Sequence, residues 1–210
     1  TFSGDIKHDF GTRLVTSTDN SIYQILPQAV VYPKNAEDIQ IVLKITEQQQ
    51  FRQSIKITPR GGGTGTNGQS LTEGVVLDCS RFMNRILETN FKEGWVRVEP
   101  GVVLDQLNEN LAPHKVFFAP DLSTSNRATL GGMVNTDACG KGSRIYGRTS
   151  DHIIELTCIL SSGEVLQSIP LDPEALTEFK QISGISGDVF KVVDRVVSHK
   201  AKLIQEVFPK

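Results

Sequence analysis

Ile55-Lys56-Ile57-Thr58-Pro59-Arg60-Gly61-Gly62-Gly63-Thr64-Gly65-Thr66-Asn67-Gly68 opens as a short alternating strand and runs into a segment where glycine holds five of the eight positions 61–68. Glycine there lets the backbone take positive φ and lie bare against a ligand. Successive N–H groups in such a loop converge into an anion-binding nest, and the hydroxyls of Thr64 and Thr66 and the amide of Asn67 add donors without bulk. The natural partner is a phosphate or pyrophosphate.

Three phosphate-binding arrangements compete for these residues, and the sequence after the loop separates them. Gly63, Gly65 and Gly68 satisfy G-x-G-x-x-G, but the dinucleotide fingerprint requires a helix to start there. Gln69-Ser70-Leu71-Thr72-Glu73-Gly74 instead reads as a turn into the apolar run Val75-Val76-Leu77, a further strand. Positions 63–70 also spell G-x-x-x-x-G-x-S, yet Gln69 stands where a nucleotide-hydrolysing loop needs lysine. That argues against ATP or GTP hydrolysis. A flexible interdomain linker would show mixed Gly/Ser composition, whereas this loop joins two strand-like runs.

Composition narrows the class. With 22 basic and 24 acidic residues the net charge is −2, so nothing recruits nucleic acid or an anionic membrane surface. Cys79, Cys139 and Cys158 are odd in number, widely spaced and without C-x-x-C, which argues against a disulfide framework, a zinc site or an iron–sulfur cluster and points to a reducing compartment. No segment approaches the ~20 apolar residues of a membrane span. The sequence opens at Thr1 without an initiator methionine, which suggests an excised piece rather than a natural start. Its 210 residues, 38% hydrophobic, are enough for a buried core.

Along the chain, residues 1–22 are polar and weakly periodic and read as an irregular lead-in. A strand at 29–32 ends at Pro33; Asn35 caps a helix with Ile39, Val42, Leu43 and Thr46 on one face, ending near Gln50; strands at 55–58 and 75–78 follow. Strand, helix, strand implies a crossover between parallel neighbours. The alternating Trp95-Val96-Arg97-Val98-Glu99 begins a second sheet, residues 103–112 form a helix stopped by Pro113, and 153–160 with 164–167 make a hairpin. Asp172 caps a short helix starting at Pro173, and a long helix covers 188–207 with Val189, Val193, Val196, Lys200, Leu203 and Val207 along one side. The expected organisation is a lead-in at 1–27, a first lobe at 28–88, a second at 89–170 and C-terminal helices at 171–210.

Residues 59–68, read with Pro120-Asp121-Leu122-Ser123, Ala128-Thr129-Leu130-Gly131-Gly132 and Tyr146-Gly147, resemble the FAD-binding domain of the vanillyl-alcohol oxidase / p-cresol methylhydroxylase (PCMH-type) superfamily over about residues 28–166. Within it, Thr-Asp-Asn-Ser-Ile-Tyr-Gln (18–24), Gly-Trp-Val-Arg-Val-Glu (94–99) and residues 123–132 are most similar to the long bacterial FAD and iron–sulfur D-2-hydroxyacid dehydrogenases. The resemblance implies an α+β fold of two lobes clasping FAD, one a small parallel β-α-β layer and the other a larger, mainly antiparallel sheet with flanking helices. It implies a flavin-dependent oxidoreductase acting on a D-2-hydroxyacid such as D-2-hydroxyglutarate or D-lactate, working in the cytoplasm or peripherally at the inner membrane. A catalytically silent FAD- or nucleotide-binding module is the alternative.

The same resemblance supplies the expected cofactor residues. Pro59, Arg60, Gly61, Gly62, Gly63, Thr64, Gly65, Thr66 and Asn67 would hold the pyrophosphate. Pro120, Asp121 and Ser123 would lie along the flavin, and Thr129, Gly131, Gly132 and Asn135 would belong to a short helix whose first turn meets the pyrophosphate. Close helix packing is the other reading of Gly131 and Gly132. Ser143, Tyr146 and Gly147 would close around the ring system, with Ile153 or Ile154 offering backbone groups to its polar edge. Some members attach flavin through a histidine at the position of Thr64 or a cysteine near Ser125; neither nucleophile is present, so FAD should be non-covalent. Cys139 reads as a small buried hydrophobe, with a redox-active thiol as the alternative. His8, His114, His152 and His199 stand in unrelated stretches without metal-ligand or triad spacing, so no metal or catalytic set is expected. In the relatives substrate is held by a following cap domain, expected to begin about where residues 208–210 end this chain; the electron acceptor is open.

Overall fold

The computed structural model describes residues 1–48 and 54–208 and divides into two compact units, Thr1–Ile153 and Ile154–Lys210. The fold is mixed α+β, as the sequence reading anticipates. Unit 1 is built on a four-stranded sheet of β1 (Asp5–Lys7), β2 (Ala29–Tyr32), β3 (Ile57–Arg60) and β4 (Val75–Asp78) in the order β1-β2-β4-β3. β2, β4 and β3 are parallel, with Val30 beside Val76 and Thr58 beside Val76 on the other side, while β1 joins β2 antiparallel. α2 (Ala36–Thr46) connects β2 to β3, capped by the Asn35 side chain, which accepts from the Asp38 N–H at 2.9 Å.

Several boundaries differ from the sequence reading. Residues 1–22 are not irregular: they carry β1 and α1 (Phe10–Thr16), whose first turn is capped by Asp9 accepting from the Thr12 N–H. Their short polar runs conceal this, because β1 gains its order by pairing with β2. The strand expected at 55–58 runs from Ile57 to Arg60, where it registers against β4. The helix end expected near Gln50 lies outside the described residues. β2 and β3 are parallel but not neighbours, since β4 inserts between them. That makes β3 an edge strand, which accounts for Pro59 within it: an edge position loses no ladder bond for want of an N–H.

The antiparallel part is two two-stranded ribbons rather than one larger sheet. β5 (Ile86–Asn90) and β6 (Trp95–Val98) pair with a register shift near Ile86 and Glu88. Glu99, 7% exposed, follows β6 and returns to Arg85, accepting from its backbone N–H at 2.9 Å and its guanidinium at 2.7 Å. α3 (Leu104–Leu111) then packs Leu104, Leu107 and Leu111 with Val102, Ala128, Leu130 and Met133 into the main core. Ile86, Val96, Val98, Phe118, Leu122 and Ala138 close around it. This core lies under the polar segment 118–138 and anchors it. Burying a Leu, Ile or Val side chain contributes about 1.5–3 kcal/mol, so the segment rests on a firm floor.

Unit 2 contains the hairpin β7 (Leu156–Ile159) and β8 (Val165–Ser168), α6 (Pro173–Phe179) capped by Asp172, and α7 (Ile185–Val207). Phe179 meets Phe190 edge-on at 5.2 Å, and Glu164 accepts from the Ser186 N–H at the start of α7. Along the expected apolar stripe, Val193, Val196, Leu203 and Val207 are each about half exposed.

Candidate cofactor-binding site

The glycine loop leaves the C-terminal end of β3, where open α/β sheets place their ligands. The N–H groups of Gly61, Gly62, Gly63, Thr64, Gly65 and Thr66 donate to no acceptor among the described residues. Gly63 has φ +61° and Gly68 φ +72°, and these left-handed positions turn the chain so that neighbouring N–H groups converge. The Asn67 N–H is already engaged, donating to the Gln69 side chain at 3.1 Å, and Asn67 itself is exposed.

The second glycine-rich segment comes to meet this loop. Its short helix is α4 (Leu130–Asn135), with Thr129 at the N-cap. A Cβ placed on Gly61 would overlap the Thr129 hydroxyl, and one on Gly62 would overlap the Arg127 carbonyl oxygen. Only bare backbone passes between the two segments. Thr129 itself is 3% exposed, and its Oγ1 is the buried side-chain polar atom left without a hydrogen-bond partner among the described residues. A buried orphan hydroxyl costs about 1–3 kcal/mol, so a group that completes it from the loop side is favoured. Gly61 and Gly62 thus let the two segments pack closely, and the donors without acceptors together with the orphaned hydroxyl fit an anionic, phosphate-bearing ligand.

The sequence-derived residues divide by role. In α4 the first turn is only partly open: Leu130 N–H donates to Val102 O and Gly131 N–H to Pro100 O, both at 2.8 Å. A Cβ on Gly131 would sit 2.6 Å from the Pro100 side chain, so this glycine serves packing. Gly132 is exposed, and its N–H has no acceptor among the described residues. Asn135 turns back on its own helix, donating to Gly131 O at 2.7 Å. Pro120 is fully buried, while Asp121 and Ser123 beside it are exposed; a Cβ on Gly140 would overlap the Asp121 carbonyl, which brings residues 120–123 against the 139–147 loop.

That loop is fastened at its base. Asp137 accepts from the Ser150 N–H at 3.0 Å and pairs with Arg148 at 3.3 Å, and Thr149, completely buried, donates through its hydroxyl to Ala138 O at 2.6 Å. Hydrogen bonds from Ser150 and the Arg148 charge hold the Asp137 carboxyl below its ordinary range. Ser143 starts the short helix α5 (Ser143–Tyr146), and Gly147 ends it at φ +77°. Tyr146 is 42% exposed and meets Phe117 edge-on at 5.6 Å, and His152 Nε2 lies 2.6 Å from the Tyr146 carbonyl oxygen. These aromatics gather at the 139–147 loop, where the Tyr146 ring lies against Gly142. Ile153 closes unit 1 and Ile154 opens unit 2.

Cys139 is exposed rather than a buried hydrophobe, because it lies in the loop that Asp137 and Ala138 raise from the core. Cys79 has the opposite setting: burial, with the Asp78 charge beside it, pushes its thiol up to about 12. Among the described residues no group of His, Cys, Asp and Glu could hold a metal ion.

Arg60, expected to face the cofactor, reaches back instead, with Nη2 donating to Thr18 O at 2.8 Å and Nη1 to Thr16 O at 3.4 Å and Ser70 Oγ at 3.3 Å. Residues 18–24 carry part of the family resemblance but have no expected place in the site. Asn20 N–H donates to Gly63 O at 3.2 Å, so this segment lies directly behind the glycine loop.

A mixed α+β fold carrying a bare-backbone anion cradle between two glycine-rich segments defines a nucleotide-cofactor-binding domain. The FAD binding domain family matches residues 27–168, and the chain belongs to that family. It is 54% identical over 209 residues to D-2-hydroxyglutarate dehydrogenase from Pseudomonas putida and 49% identical over 209 residues to that from Escherichia coli K12, each alignment covering all of this chain and 21% and 20% of the relative. The chain thus spans about a fifth of the length of the curated relatives it matches. The solved structure of Physcomitrella patens BBE-like 1 superposes with a TM-score of 0.70 at 20% identity, over 84% of this chain and 38% of that one. That likeness extends the fold beyond close sequence relatives. The cofactor of this domain is FAD.

Proposed function

We propose that this chain is the flavin-holding part of a D-2-hydroxyacid dehydrogenase, with D-2-hydroxyglutarate as the substrate class its relatives point to, and that it holds FAD without a covalent bond. The observation that carries the reading is the meeting of Gly61 and Gly62 with Thr129 and Arg127, which brings an orphaned hydroxyl beside a loop whose N–H groups at 61–66 have no acceptor among the described residues. The N–H array would neutralise the diphosphate, and Gly61 and Gly62 would let the 127–129 segment close against the loop. Thr129 and the Gly132 N–H would bind from the opposite side. Pro120, Asp121, Ser123, Ser143, Tyr146 and Gly147 would flank the ring system, with Ile153 or Ile154 at its polar edge. The threonine at 64 and the serine at 125 leave no histidine or cysteine there to form a flavin bond.

Bound FAD supplies a two-electron acceptor able to take hydride from the α-carbon of a hydroxyacid. The residues that hold the hydroxyacid and remove its hydroxyl proton belong, in this reading, to the remaining length of a protein like the relatives, as does the route to the electron acceptor. Three free cysteines support a cytoplasmic setting. Among the described residues no helix is long and apolar enough to cross a membrane.

A chimera tests the function directly: this chain replaces the aligned fifth of the Pseudomonas putida relative. The chimera should retain FAD and oxidise D-2-hydroxyglutarate within about tenfold of the parent rate, a cost of about 1.4 kcal/mol in transition-state stabilisation. A folded, FAD-loaded chimera whose flavin no D-2-hydroxyacid reduces would overturn the reading.

A further inference from the structure

The glycine loop is held from behind by residues that lie before the matched family region, which begins at residue 27. The Arg60 guanidinium lies under Gly63, where a Cβ would overlap its Nη2. From there it donates to the carbonyl oxygens of Thr16 and Thr18 and to Ser70 Oγ. Ser70 Oγ in turn donates to Asp19 Oδ2 at 3.1 Å, and Asp19 Oδ1 accepts from the Ser21 N–H at 2.8 Å. Asn20 N–H reaches Gly63 O, and the Tyr23 ring lies against Gly68, 2.9 Å from where its Cβ would be. The loop is therefore pinned near its middle by Asn20, at its end by Tyr23 and just beyond by Asp19 through Ser70. Thr16 and Ser70 are 4% and 8% exposed, so the network is anchored in the interior at these two residues while Thr18, Asn20 and Tyr23 lie at the surface.

We propose that residues 16–23 form the back wall of the cofactor site, and that Arg60 and Asp19 are positioning residues that set the 61–66 N–H array before FAD arrives. This rests on the FAD reading above. A glycine-rich loop left to itself has much conformational entropy to lose on gripping a ligand. Fixing it beforehand removes that cost from binding. Arg60 suits the task because its planar fork satisfies two carbonyls and a hydroxyl at once, which a lysine cannot do. Burial alone would raise the Asp19 carboxyl, but bonds from Ser21 and Ser70 and the Arg60 charge outweigh it and hold the group below its ordinary range.

The test is FAD affinity of the full chain, by quenching of flavin fluorescence, combined with amide exchange in the FAD-free protein. Asp19→Ala and Arg60→Gln should raise the Kd by roughly tenfold to a hundredfold, the worth of a hydrogen bond to a charged group. They should also speed exchange at the Asn20 and Leu71 amides, which bond Gly63 O and Gly68 O, and leave the β2 and β4 amides protected. Asp19→Asn, which keeps one acceptor oxygen for the Ser21 N–H and can turn its amide N–H toward Ser70 Oγ, should recover part of the affinity; Arg60→Lys should not. Affinity within twofold of the unaltered chain for both Asp19→Ala and Arg60→Gln would overturn the proposal, and so would loss of protection across the whole sheet, which marks a merely structural role. Failure of the unaltered chain to bind FAD would remove the reading on which the inference rests, and the inference with it.

Discussion

Thr129 concentrates the argument in one side chain. Its hydroxyl is buried and unpaired, so Thr129→Val, nearly the same in shape, removes an unsatisfied group and should stabilise the FAD-free chain by about 1 kcal/mol. The same change should weaken FAD binding, and paired measurements of denaturant midpoint and Kd would reveal that opposition. A fall in both stability and affinity would mean that the hydroxyl is satisfied within the fold. Gly62→Ala should abolish FAD binding outright, because its Cβ would displace the Arg127 carbonyl and with it the approach of the two segments; near-native affinity would place the diphosphate elsewhere. The cysteines offer a chemical check. With its thiol pushed up to about 12, Cys79 should resist a maleimide at about pH 8, where exposed Cys139 should label readily. The glycines and Thr129 were legible from spacing and resemblance, whereas the orphaned hydroxyl depends on which atoms surround it and could not be read from order along the chain.

At the scale of elements, the platform under the second glycine segment is the β5–β6 ribbon and α3, and Glu99 fastens its edge. Burial alone would push the Glu99 carboxyl up, but the Arg85 guanidinium and N–H outweigh it and hold the group below its ordinary range. A depressed carboxyl contributes stability above the unfolded-state value near 4.3 and loses it as pH falls through the folded value. Glu99→Gln should therefore be less stable than the unaltered chain at about pH 7, by roughly 1–3 kcal/mol, with the difference closing toward about pH 3. A difference that does not change with pH would show that the charge is immaterial. Most elements were legible because their patterns are local: Asn35 caps α2, Leu104, Leu107 and Leu111 share one face of α3, and Asp172 caps α6. The misses share a tertiary cause. β1 exists because β2 offers it an edge, β4 parts β2 from β3 by sheet order alone, and Arg60 turns from the ligand because carbonyls 42 and 44 positions away lie within its reach.

At the scale of the whole molecule, unit 1 carries the anion cradle together with its floor and back wall, and the described residues assemble no metal set beside it. Hydride transfer requires the hydroxyacid to be held against the flavin with a base on its hydroxyl, and these two effects together supply several orders of magnitude. Loaded with FAD, the 210-residue chain should therefore be bleached by D-2-hydroxyglutarate at least about 10³-fold more slowly than the chimera with the Pseudomonas putida relative, under anaerobic mixing. Equal rates would place the base within this chain and make His152 and Tyr146 the first residues to alter. The most direct measurement is an absorption spectrum of the chain after mixing with FAD and gel filtration, repeated on the supernatant after acid precipitation. The flavin bands should travel with the protein and then pass entirely into the supernatant; flavin that elutes wholly apart from the protein, or colour that remains in the acid pellet, would contradict the account.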